Sequence, residues 1–259
     1  FIDLFDNCPY HDLAHTYEIL TEVWEHPDFT RYIKLDTLKP IASGSIGQIY
    51  RAELINPYIV CPKCSGILLD NSHPFDSSAF SELPECPICC IHGTIITTIA
   101  IKVKHPDVNA QIERKARLFR LLSRIQRIKL LKDLLGLHMD MNDFIENLDS
   151  QINFRNEFTN AHKFKAAFYG NDYVTFPLAI AAGRDYLISE YINTQSFESL
   201  TEYSQLKTCM NYACMVSQMV LIDNFIHGDL HHKNWQVRMV GSDYQIVVFD
   251  TGICFKSND

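Results

Sequence analysis

The chain has 259 residues, of which 47% are hydrophobic, and its formal net charge at pH 7 is −8. This length and composition allow one large or two modest domains with a sizeable core, whereas the negative charge argues against a general nucleic-acid binder, so no nucleic-acid partner is expected. No uninterrupted apolar run reaches the roughly 18 residues that a membrane span needs, so the sequence predicts no transmembrane segment.

The N-terminus and the cysteines bear on the compartment. The chain begins with Phe1 rather than Met and has no basic segment leading an apolar one; no signal or transit peptide is visible, and we expect an excised part of a longer protein. Five of the nine cysteines cluster between Cys61 and Cys90. CxxC pairs without a secretory signal favour metal binding in a reducing intracellular compartment over disulfides in a secreted protein. The sequence does not identify the organelle.

The first segment, residues 1–36, shows helical spacing of its apolar side chains. Leu13, Leu20 and Trp24 fall on one face, and Asp12 is a plausible N-cap. The sequence predicts a helical N-terminal extension that packs on the next domain.

A stretch of small residues follows, Ala42-Ser43-Gly44-Ser45-Ile46-Gly47. Set against the kinase pattern G-x-G-x-x-G-x-V, it keeps the second and third glycines and has Ala42 in place of the first. Such a loop lets backbone amides approach phosphate oxygens, although an ordinary β-hairpin turn would use the same residue types. The candidate nucleotide-contacting residues of the loop are Ala42, Ser43, Gly44, Ser45 and Gly47.

An insertion at residues 58–93 contains two CPxC motifs separated by 21 residues. Each motif places two thiolates on one tight turn, and two such turns form a tetrahedral Zn²⁺ site of the zinc-ribbon kind. The candidate ligands of a structural zinc are Cys61, Cys64, Cys86 and Cys89. Substitute ligands could come from Cys90, His73 or His92. A redox dithiol pair, or a disordered loop with free thiols, are the alternatives.

The run Ile99-Ala100-Ile101-Lys102-Val103 matches V-A-I-K, the strand whose lysine pairs with the α- and β-phosphates of ATP in kinases. A lysine on an apolar strand can instead point to solvent. The apolar flanks on both sides favour a cleft-facing role for Lys102.

Two long helical patterns come next. Residues 106–137 combine many cations with an apolar face, which suits either a solvated helix or a peripheral contact with anionic lipid. The second helix, over 141–168, carries Glu157, which we expect to form an ion pair with Lys102; an exposed helical glutamate is the alternative.

Two strands are then predicted over 171–182 and 185–192, followed by a helix over 202–226. The second strand ends at Glu190-Tyr191-Ile192, where a kinase hinge would offer backbone groups to adenine. Glu190 and Ile192 are therefore candidate nucleotide-binding residues.

The sequence His227-Gly228-Asp229-Leu230-His231-His232-Lys233-Asn234 has the Asp-to-Asn spacing of a kinase catalytic loop, five residues. The apolar run 244–249 is predicted to be a strand that delivers Asp250. In this interpretation Asp229 sits beside an attacking hydroxyl or water, while Asn234 and Asp250 hold Mg²⁺. A chance His-x-Asp in a turn is the alternative for the loop taken alone.

Four stretches, PIASGSIGQIYRA, IAIKVKHPDV, NFRNEFTNAHKF and HGDLHHKN with VVFDTG, resemble the UbiB-like atypical kinases that support coenzyme Q biosynthesis. The resemblance implies an α+β, bilobal protein-kinase-like fold with an antiparallel N-lobe sheet, extra helices and ATP with Mg²⁺ as ligands. The domains then expected are an N-terminal extension at 1–36, an N-lobe at 37–192 including the insert, and a partial C-lobe at 193–259.

The chain also departs from that family. Gly44 stands where the family's alanine-rich loop has another alanine, and no inhibitory KxGQ element is found. The acidic E-x-D motif appears as 151–153, Gln-Ile-Asn, which puts the family's autoinhibition in doubt. Thr251 replaces the phenylalanine of DFG, and the zinc-ribbon insert is not an expected family feature.

The sequence therefore predicts an ATP- and Mg²⁺-dependent kinase or ATPase, with Asp229, Lys102 and Glu157 as its catalytic side chains. Its acceptor, a lipid or a protein, is not identified. The alternative is a nucleotide-binding pseudokinase scaffold that uses the zinc ribbon to bind a partner.

Overall fold

A computed structural model describes residues 10–70, 83–106, 108–110, 113–114, 117 and 152–256. Three helices are described in full: α1 (Leu13–Val23), α2 (Phe154–Ala167) and α3 (Glu202–Leu221). The strands of the first half are β1 (Ile33–Leu35), β2 (Ala42–Ser43), β3 (Gly47–Val60), β4 (Ile67–Leu69) and β5 (Thr94–Lys104). Those of the second half are β6 (Val174–Thr175), β7 (Ala179–Ala182), β8 (Tyr186–Glu190), β9 (Ile226–His227), β10 (Trp235–Val240), β11 (Asp243–Val248) and β12 (Cys254–Phe255).

A seven-stranded antiparallel sheet organises the first part of the molecule. Its order is β1-β3-β5-β8-β7, with β2 and β4 also paired to β3. The central strand β5 alternates strictly along its second half, so Ile99, Ile101 and Val103 are buried while Ala100 and Lys102 face the other side. The mixed α+β class with an antiparallel sheet, expected from the sequence, is confirmed.

Helix α1 covers the buried face of this sheet. Its Ile19 and Leu20 join the cluster formed by Ile99 and Ile101, and Asp12 caps the helix by accepting a hydrogen bond from the Ala14 amide at 3.2 Å. The helical prediction for 1–36 is wrong at 33–35, which form strand β1, because the edge of β3 offers these residues a ladder from Ile33 opposite Leu54. Residues 1–9 lie outside the described part.

A second core joins α2 and α3 to a small sheet of order β10-β11-β6. Its largest members come from the two helices and from strands β6 and β11: Phe164, Phe168, Val174, Phe176, Met215, Met219, Ile246 and Val248. The chain thus has two hydrophobic centres, and the catalytic-loop motif and Asp250 lie on elements of the second one.

Helix α2 begins where its cap predicts. The Asn153 side chain accepts a hydrogen bond from the Arg155 amide at 3.1 Å and starts the helix at Phe154. The earlier part of the helix predicted over 141–168, and nearly all of the basic helix predicted over 106–137, lie outside the described residues. No described helix is long and apolar enough to cross a membrane.

Three other boundaries differ from prediction. The strand expected over 171–182 is divided into β6 and β7, because Pro177 between them has no N–H for a ladder. The helix expected over 202–226 stops at Leu221, and Asn224 follows in a left-handed conformation with φ of 46°. Residues 226–227 instead form β9, which pairs with β12. The strand expected over 244–249 is confirmed as β11, and that over 185–192 as β8.

Candidate active site and metal centre

Lys102 joins three distant parts of the chain. Its ammonium lies 2.9 Å from Glu157 Oε2 on α2 and 3.1 Å from Asp250 Oδ2, which follows β11. The ring of Phe154 lies 5.2 Å from the same nitrogen. The predicted contact between Lys102 and Glu157 is therefore present across 55 residues of sequence. Asp250 joins it as a second carboxylate.

One buried cation shared by two carboxylates leaves an excess of negative charge. Burial lowers the pKa of Lys102, but the charges of Asp250 and Glu157 outweigh it and the net shift is upward. Burial, together with the charge of Asp250, raises the pKa of Glu157 to about 7 against the opposing effect of Lys102. For Asp250, burial raises the pKa and Lys102 lowers it, with a net downward shift.

The exposure of the two acids explains this difference. The Glu157 side chain is 7% exposed, whereas that of Asp250 is 45% exposed. The proton thus resides more readily on the buried acid. Asp250 stays ionised at the cavity surface, which suits a ligand for a divalent cation.

Thr251 fastens α2 to the segment that follows β11. Its hydroxyl donates to the Glu157 carbonyl at 2.9 Å, and its own carbonyl accepts from Asn160 Nδ2 at 2.9 Å. The neighbouring Asp250 has φ of 50°, a region that costs energy for a side chain with a Cβ. These hydrogen bonds hold both the helix and the strained carboxylate in place. Sequence reasoning missed the contacts of Thr251 and Asn160, because no local pattern indicates them.

His227 links the catalytic loop to the end of β11. Its Nε2–H donates to the Phe249 carbonyl at 3.2 Å, and its Nδ1 accepts from the Asp229 amide at 3.1 Å. Burial lowers the pKa of His227, which favours this neutral form. The motif containing His227 was identified in the sequence, but this connecting role was not, although its place two residues before Asp229 is the signal that could have indicated it.

Asn234 is oriented by Asp229. Its Nδ2 donates to the Asp229 carbonyl at 2.8 Å and lies 3.3 Å from Asp229 Oδ2, while its backbone carbonyl accepts from the Phe249 amide at 2.7 Å. Because the amide nitrogen is engaged on one side, the amide oxygen is turned the other way. The loop thus presents an amide oxygen and a half-exposed carboxylate near Asp250.

The glycine-rich loop is the hairpin between β2 and β3. The Gly44 amide donates to the Gly47 carbonyl at 2.9 Å. A Cβ at Gly47 would stand 2.4 Å from the Val103 carbonyl oxygen, so only glycine fits there, whereas at Gly44 the nearest atom would be 4.0 Å away. The Ser43 hydroxyl is buried and has no hydrogen-bond partner in the described part of the chain. A polar ligand would satisfy it.

The residues expected at a kinase hinge lie at the end of β8. The Glu190 amide donates to the Leu178 carbonyl at 2.8 Å, and the Tyr191 amide donates to the Thr98 carbonyl at 3.0 Å. Among the described residues, no acceptor takes the Ile192 amide. Of these three amides, the one at Ile192 is therefore available to a ligand.

Two adjoining cavities collect these groups. One of about 360 Å³ lies between the sheet and the hinge and is lined by Ala42, Ala100, Lys102, Glu157, Glu190, Ile192, Asn234 and Asp250. The other, of about 680 Å³, runs under the glycine-rich loop and is lined by Ser43, Gly44, Ser45, Gly47, Lys102, Asp229, Asn234 and Asp250. The candidate nucleotide, catalytic and magnesium residues thus all border a single cleft.

The four candidate zinc ligands meet at the far end of the β3–β5 hairpin. Their sulfur atoms all lie within 4.8 Å of one another, and Cys64 Sγ is 3.8 Å from Cys86 Sγ. A tetrahedral site with Zn–S bonds of about 2.3 Å requires sulfur separations of about 3.8 Å. The substitutes His92 and Cys90 are not members of the cluster, and His73 lies outside the described residues.

The two CPxC turns repeat the same backbone geometry. The Cys61 amide donates to the Gly66 carbonyl at 2.8 Å, and the Cys86 amide donates to the Ile91 carbonyl at 2.9 Å. The residue after each second cysteine is left-handed, with φ of 58° at Ser65 and 53° at Cys90. This repeat brings the two ligand pairs face to face.

The electrostatics of Cys86 and Cys89 fit a bound cation. The amides of Cys89 and Ile88 lower the pKa of Cys86 to about 7, whereas burial and the neighbouring thiols raise the pKa of Cys89 to about 12. One thiolate therefore forms readily, and a further one is opposed by the crowding. A divalent cation would remove that opposition.

Comparison with known proteins identifies a family and relatives for this chain. The model of the ABC1 atypical kinase-like domain matches residues 93–259. A Saccharomyces cerevisiae relative, ABC1 family protein YPL109C, mitochondrial, is 24% identical over 92% of this chain and 34% of its own length. In Dictyostelium discoideum, the probable serine/threonine-protein kinase abkC is 22% identical over 94% of this chain and 30% of its own length. This chain spans about a third of the length of these curated relatives.

A solved structure supports the fold. Rv3197 of Mycobacterium tuberculosis, determined in complex with erythromycin, superposes with a TM-score of 0.60 over 96% of this chain and 53% of its own. At 16% identity this likeness concerns the fold alone. The family match over residues 93–259, more than half of the chain, establishes that this chain belongs to the ABC1 (UbiB/AarF) family of atypical kinase-like proteins.

Proposed function

We propose that this chain forms the nucleotide-binding part of an ATP- and Mg²⁺-dependent atypical kinase or ATPase. The observation that carries the proposal is the position of Lys102, whose ammonium contacts Glu157 and Asp250 at the edge of a cleft that Asp229 and Asn234 also line. A scaffold without phosphate chemistry has no need for this combination of charges.

Lys102 would hold the α- and β-phosphates while Glu157 keeps its side chain in the cleft. Incoming phosphates would compete with Asp250 for the ammonium and leave that carboxylate to a cation. The Ile192 amide and the backbone of Glu190 would receive adenine. The loop amides and the unpartnered Ser43 hydroxyl would cover the phosphates.

Asn234 and Asp250 are the residues that would hold Mg²⁺. Both offer hard oxygen ligands, which suit this ion, and the exposure of Asp250 allows it to be reached from the cleft. When bound, Mg²⁺ would neutralise the negative charge that develops on the phosphate oxygens during transfer.

Asp229 would orient and deprotonate the acceptor hydroxyl or the attacking water. Its backbone amide is fixed by His227, and its side chain lies near Asn234. At 43% exposure the carboxylate can be reached by an acceptor from solvent. A lipid or a protein as the acceptor, and a peripheral membrane contact through residues 106–137, stay predictions from the sequence.

The Cys61, Cys64, Cys86 and Cys89 cluster would hold a structural Zn²⁺. Its sulfur separations and repeated turns support this assignment. The loop between the two turns is rich in serine, proline and acid, so the metal would supply most of the free energy that orders the insert.

ADP release by the full-length protein, with and without Mg²⁺, tests the proposal directly. We expect Mg²⁺-dependent turnover that Asp250→Asn reduces on the order of 10²–10³-fold, because a neutral amide binds the cation less strongly. Asp243→Asn, an exposed surface carboxylate, is the matched control. Turnover unchanged by Asp250→Asn would refute the metal role.

The pseudokinase alternative makes a different prediction for the same experiment. ATP would raise the thermal unfolding temperature, but neither variant nor wild type would release ADP. That result would reassign the cleft to structural nucleotide binding.

A further inference from the structure

A chain of hydrogen bonds, partly buried at the two histidines and fully buried at Thr16 and Tyr50, connects α1 to the glycine-rich loop. His105, directly after β5, binds this loop twice: its amide donates to the Ile46 carbonyl at 2.9 Å, and its Nε2 lies 3.0 Å from the Gly44 carbonyl oxygen. On the other side, His105 Nδ1 lies 2.7 Å from His11 Nδ1. The N-terminal segment is thereby joined to the loop through two imidazole rings.

The partners determine which ring nitrogens carry protons. A carbonyl oxygen only accepts, so His105 must donate from Nε2 to Gly44. In a neutral His105 the Nδ1 is then an acceptor, and His11 must donate to it from its own Nδ1. His11 Nε2 is consequently an acceptor, and it lies 2.9 Å from the Thr16 hydroxyl.

The same logic continues into the core. The Thr16 hydroxyl donates to His11 and therefore accepts from the Tyr50 hydroxyl, 3.1 Å away. Tyr50 in turn accepts from Gln48 Nε2, and Gln48 Oε1 accepts from the His11 amide at 3.1 Å. Gln48 and Thr16 are fully buried, and Tyr50 is 2% exposed. The bonds close into a ring with one consistent direction and every partner satisfied.

An added proton breaks this arrangement. It would place two N–H groups against each other between the rings, or an N–H against the Thr16 hydroxyl. Reversing the direction of the hydrogen bonds from His11 to Tyr50 would make the Tyr50 hydroxyl point its proton at the NH₂ of Gln48. Turning the Gln48 amide to accept that proton would then place its NH₂ against the backbone N–H of His11. When one bond of such a network is broken, the free energy of unfolding falls by more than the contribution of a single hydrogen bond, because the other bonds lose their partners as well.

We propose that His105 and His11 are positioning residues for the glycine-rich loop, which they hold at Gly44 only while both rings are neutral. Nucleotide binding then weakens as a proton enters the pair. This inference rests on the proposed function insofar as the loop 42–47 is taken to cover the phosphates.

The charges around the pair agree with a neutral state. Burial, then the charges of His105 and His15, lower the pKa of His11 to about 4, with Asp12 acting in the opposite direction. Tyr50 is the ionisable side chain that strand β3 contributes to the described hydrogen bonds of this network, beside the neutral Gln48, and the loop 42–47 contains no ionisable side chain. The Lys104 ammonium is engaged by Asp185 at 3.1 Å, and its backbone carbonyl receives His15 Nε2 at 3.1 Å.

The direction of the pH effect follows from linkage. The pKa of His11 is lowered in the closed network, so the stability that the network contributes is present above pH 6.5 and is lost as pH falls toward 4. Between pH 8 and pH 5 the closed loop should lose about 30-fold in population relative to a loop whose histidines are free.

Two substitutions test the hydrogen bonds that the His105 side chain makes. His105→Phe keeps a ring but removes both bonds, whereas His105→Gln can donate to Gly44 and accept from His11 without titrating in this range. His26→Gln alters a partly exposed histidine of the same N-terminal segment, whose ring bonds to the Asp28 backbone and packs against Tyr32, and serves as the control.

The measurement is hydrogen exchange of the Gly44 and His105 amides in the nucleotide-free protein from pH 5 to 8, corrected for intrinsic rates. We expect roughly 10-fold faster exchange in His105→Phe at pH 8 and wild-type protection in His105→Gln at pH 8. At pH 5 we expect loss of protection in wild type, His26→Gln and His105→Gln alike, because His11 still titrates in each of them. ATP affinity should follow the same order. Wild-type exchange at both pH values in His105→Phe would overturn the inference.

A second measurement is independent of folding defects in the variants. Imidazole ¹⁵N shifts in the wild-type protein should show the proton on Nε2 of His105 and on Nδ1 of His11 at pH 7.5. The opposite tautomers would also overturn it. Because both measurements use nucleotide-free protein, they can succeed even where ADP release fails, so this inference and the proposed function fail separately.

Discussion

The zinc insert and the nucleotide cleft are built on opposite ends of the same two strands, but by different means. The insert brings together four cysteines from two short turns that repeat one backbone geometry. The cleft brings together Lys102, Glu157 and Asp250 across as many as 148 residues. We therefore expect the site made of local turns to depend on the proposed zinc for order, whereas the site made of distant elements depends on two packed cores and on hydrogen bonds between them.

Removal of zinc should separate the two regions most clearly. A chelator, or Cys61→Ser with Cys64→Ser, is expected to abolish order in residues 61–70 and 83–93, because Tyr58 and Val60 lie in the core of the sheet whereas the turns beyond them depend on the metal. ATP affinity should change by less than about threefold, because β3 and β5 still pair from Gly47 to Glu53. Metal analysis and hydrogen exchange follow the insert, and calorimetric titration follows the nucleotide. Cys209→Ser, an exposed thiol outside the cluster, is the control. Equal loss of order in both regions would show that they fold as one unit.

Lys102→Met should have the largest effect on the cleft itself. It leaves Glu157 buried without its cation, and breaking a buried pair in this way costs roughly 3 kcal/mol in the free energy of unfolding. Lys102→Met combined with Glu157→Gln should recover much of that loss, since no buried charge remains. Urea denaturation of both variants and of Glu157→Gln completes a double-mutant cycle. Additive effects would contradict a direct interaction.

The pH dependence of stability should depend on Glu157. Its pKa is raised to about 7 from an ordinary 4.5, so the folded protein binds the proton more tightly. The corresponding stability is present below pH 4.5 and is lost as pH rises through 7. Relative to Glu157→Gln, the metal-free wild type should lose on the order of 2–3 kcal/mol between pH 4.5 and pH 8. Urea midpoints at several pH values measure this difference, and parallel curves for the two proteins would exclude the raised pKa.

Thr251→Val should have the smallest effect, about 1 kcal/mol in the free energy of unfolding. It removes the hydroxyl that donates to the Glu157 carbonyl but keeps the shape of the buried side chain. Because this bond holds α2 against the segment after β11, nucleotide affinity should fall with it. Thr159→Val, on the exposed face of the same helix, is the control. If Thr251→Val is as stable as the wild type but binds nucleotide more weakly, the bond sets the position of α2 without contributing to stability.

Local patterns predicted much of the sheet and the elements of the cleft. The apolar flanks of Lys102 favoured a side chain that faces the cleft, and the spacing from Asp229 to Asn234 indicated a loop of the kinase catalytic kind. The cysteine spacing predicted a cluster of four thiols that the structure does contain. In each case the deciding information lies within a few residues of sequence.

Contacts between distant elements could not be predicted in this way. Ile33 lies in a strand because an edge of β3 is available, and Ile226 lies outside the helix predicted over 202–226 because it pairs with β12. The hydrogen bonds of Thr251, and the contact of His11 with His105 across 94 residues, depend on how the elements pack. The functional roles of the cleft residues remain predictions for the experiments above.

The ends of the insert are themselves a register pair of the ladder, with Val60 directly opposite Thr94. A two-residue hairpin turn could therefore replace everything between them without altering the topology of the sheet. The insert is thus a self-contained module at the tip of a hairpin, and a single insertion or deletion could add or remove it. A protein engineer could exchange it for another module at the same two positions.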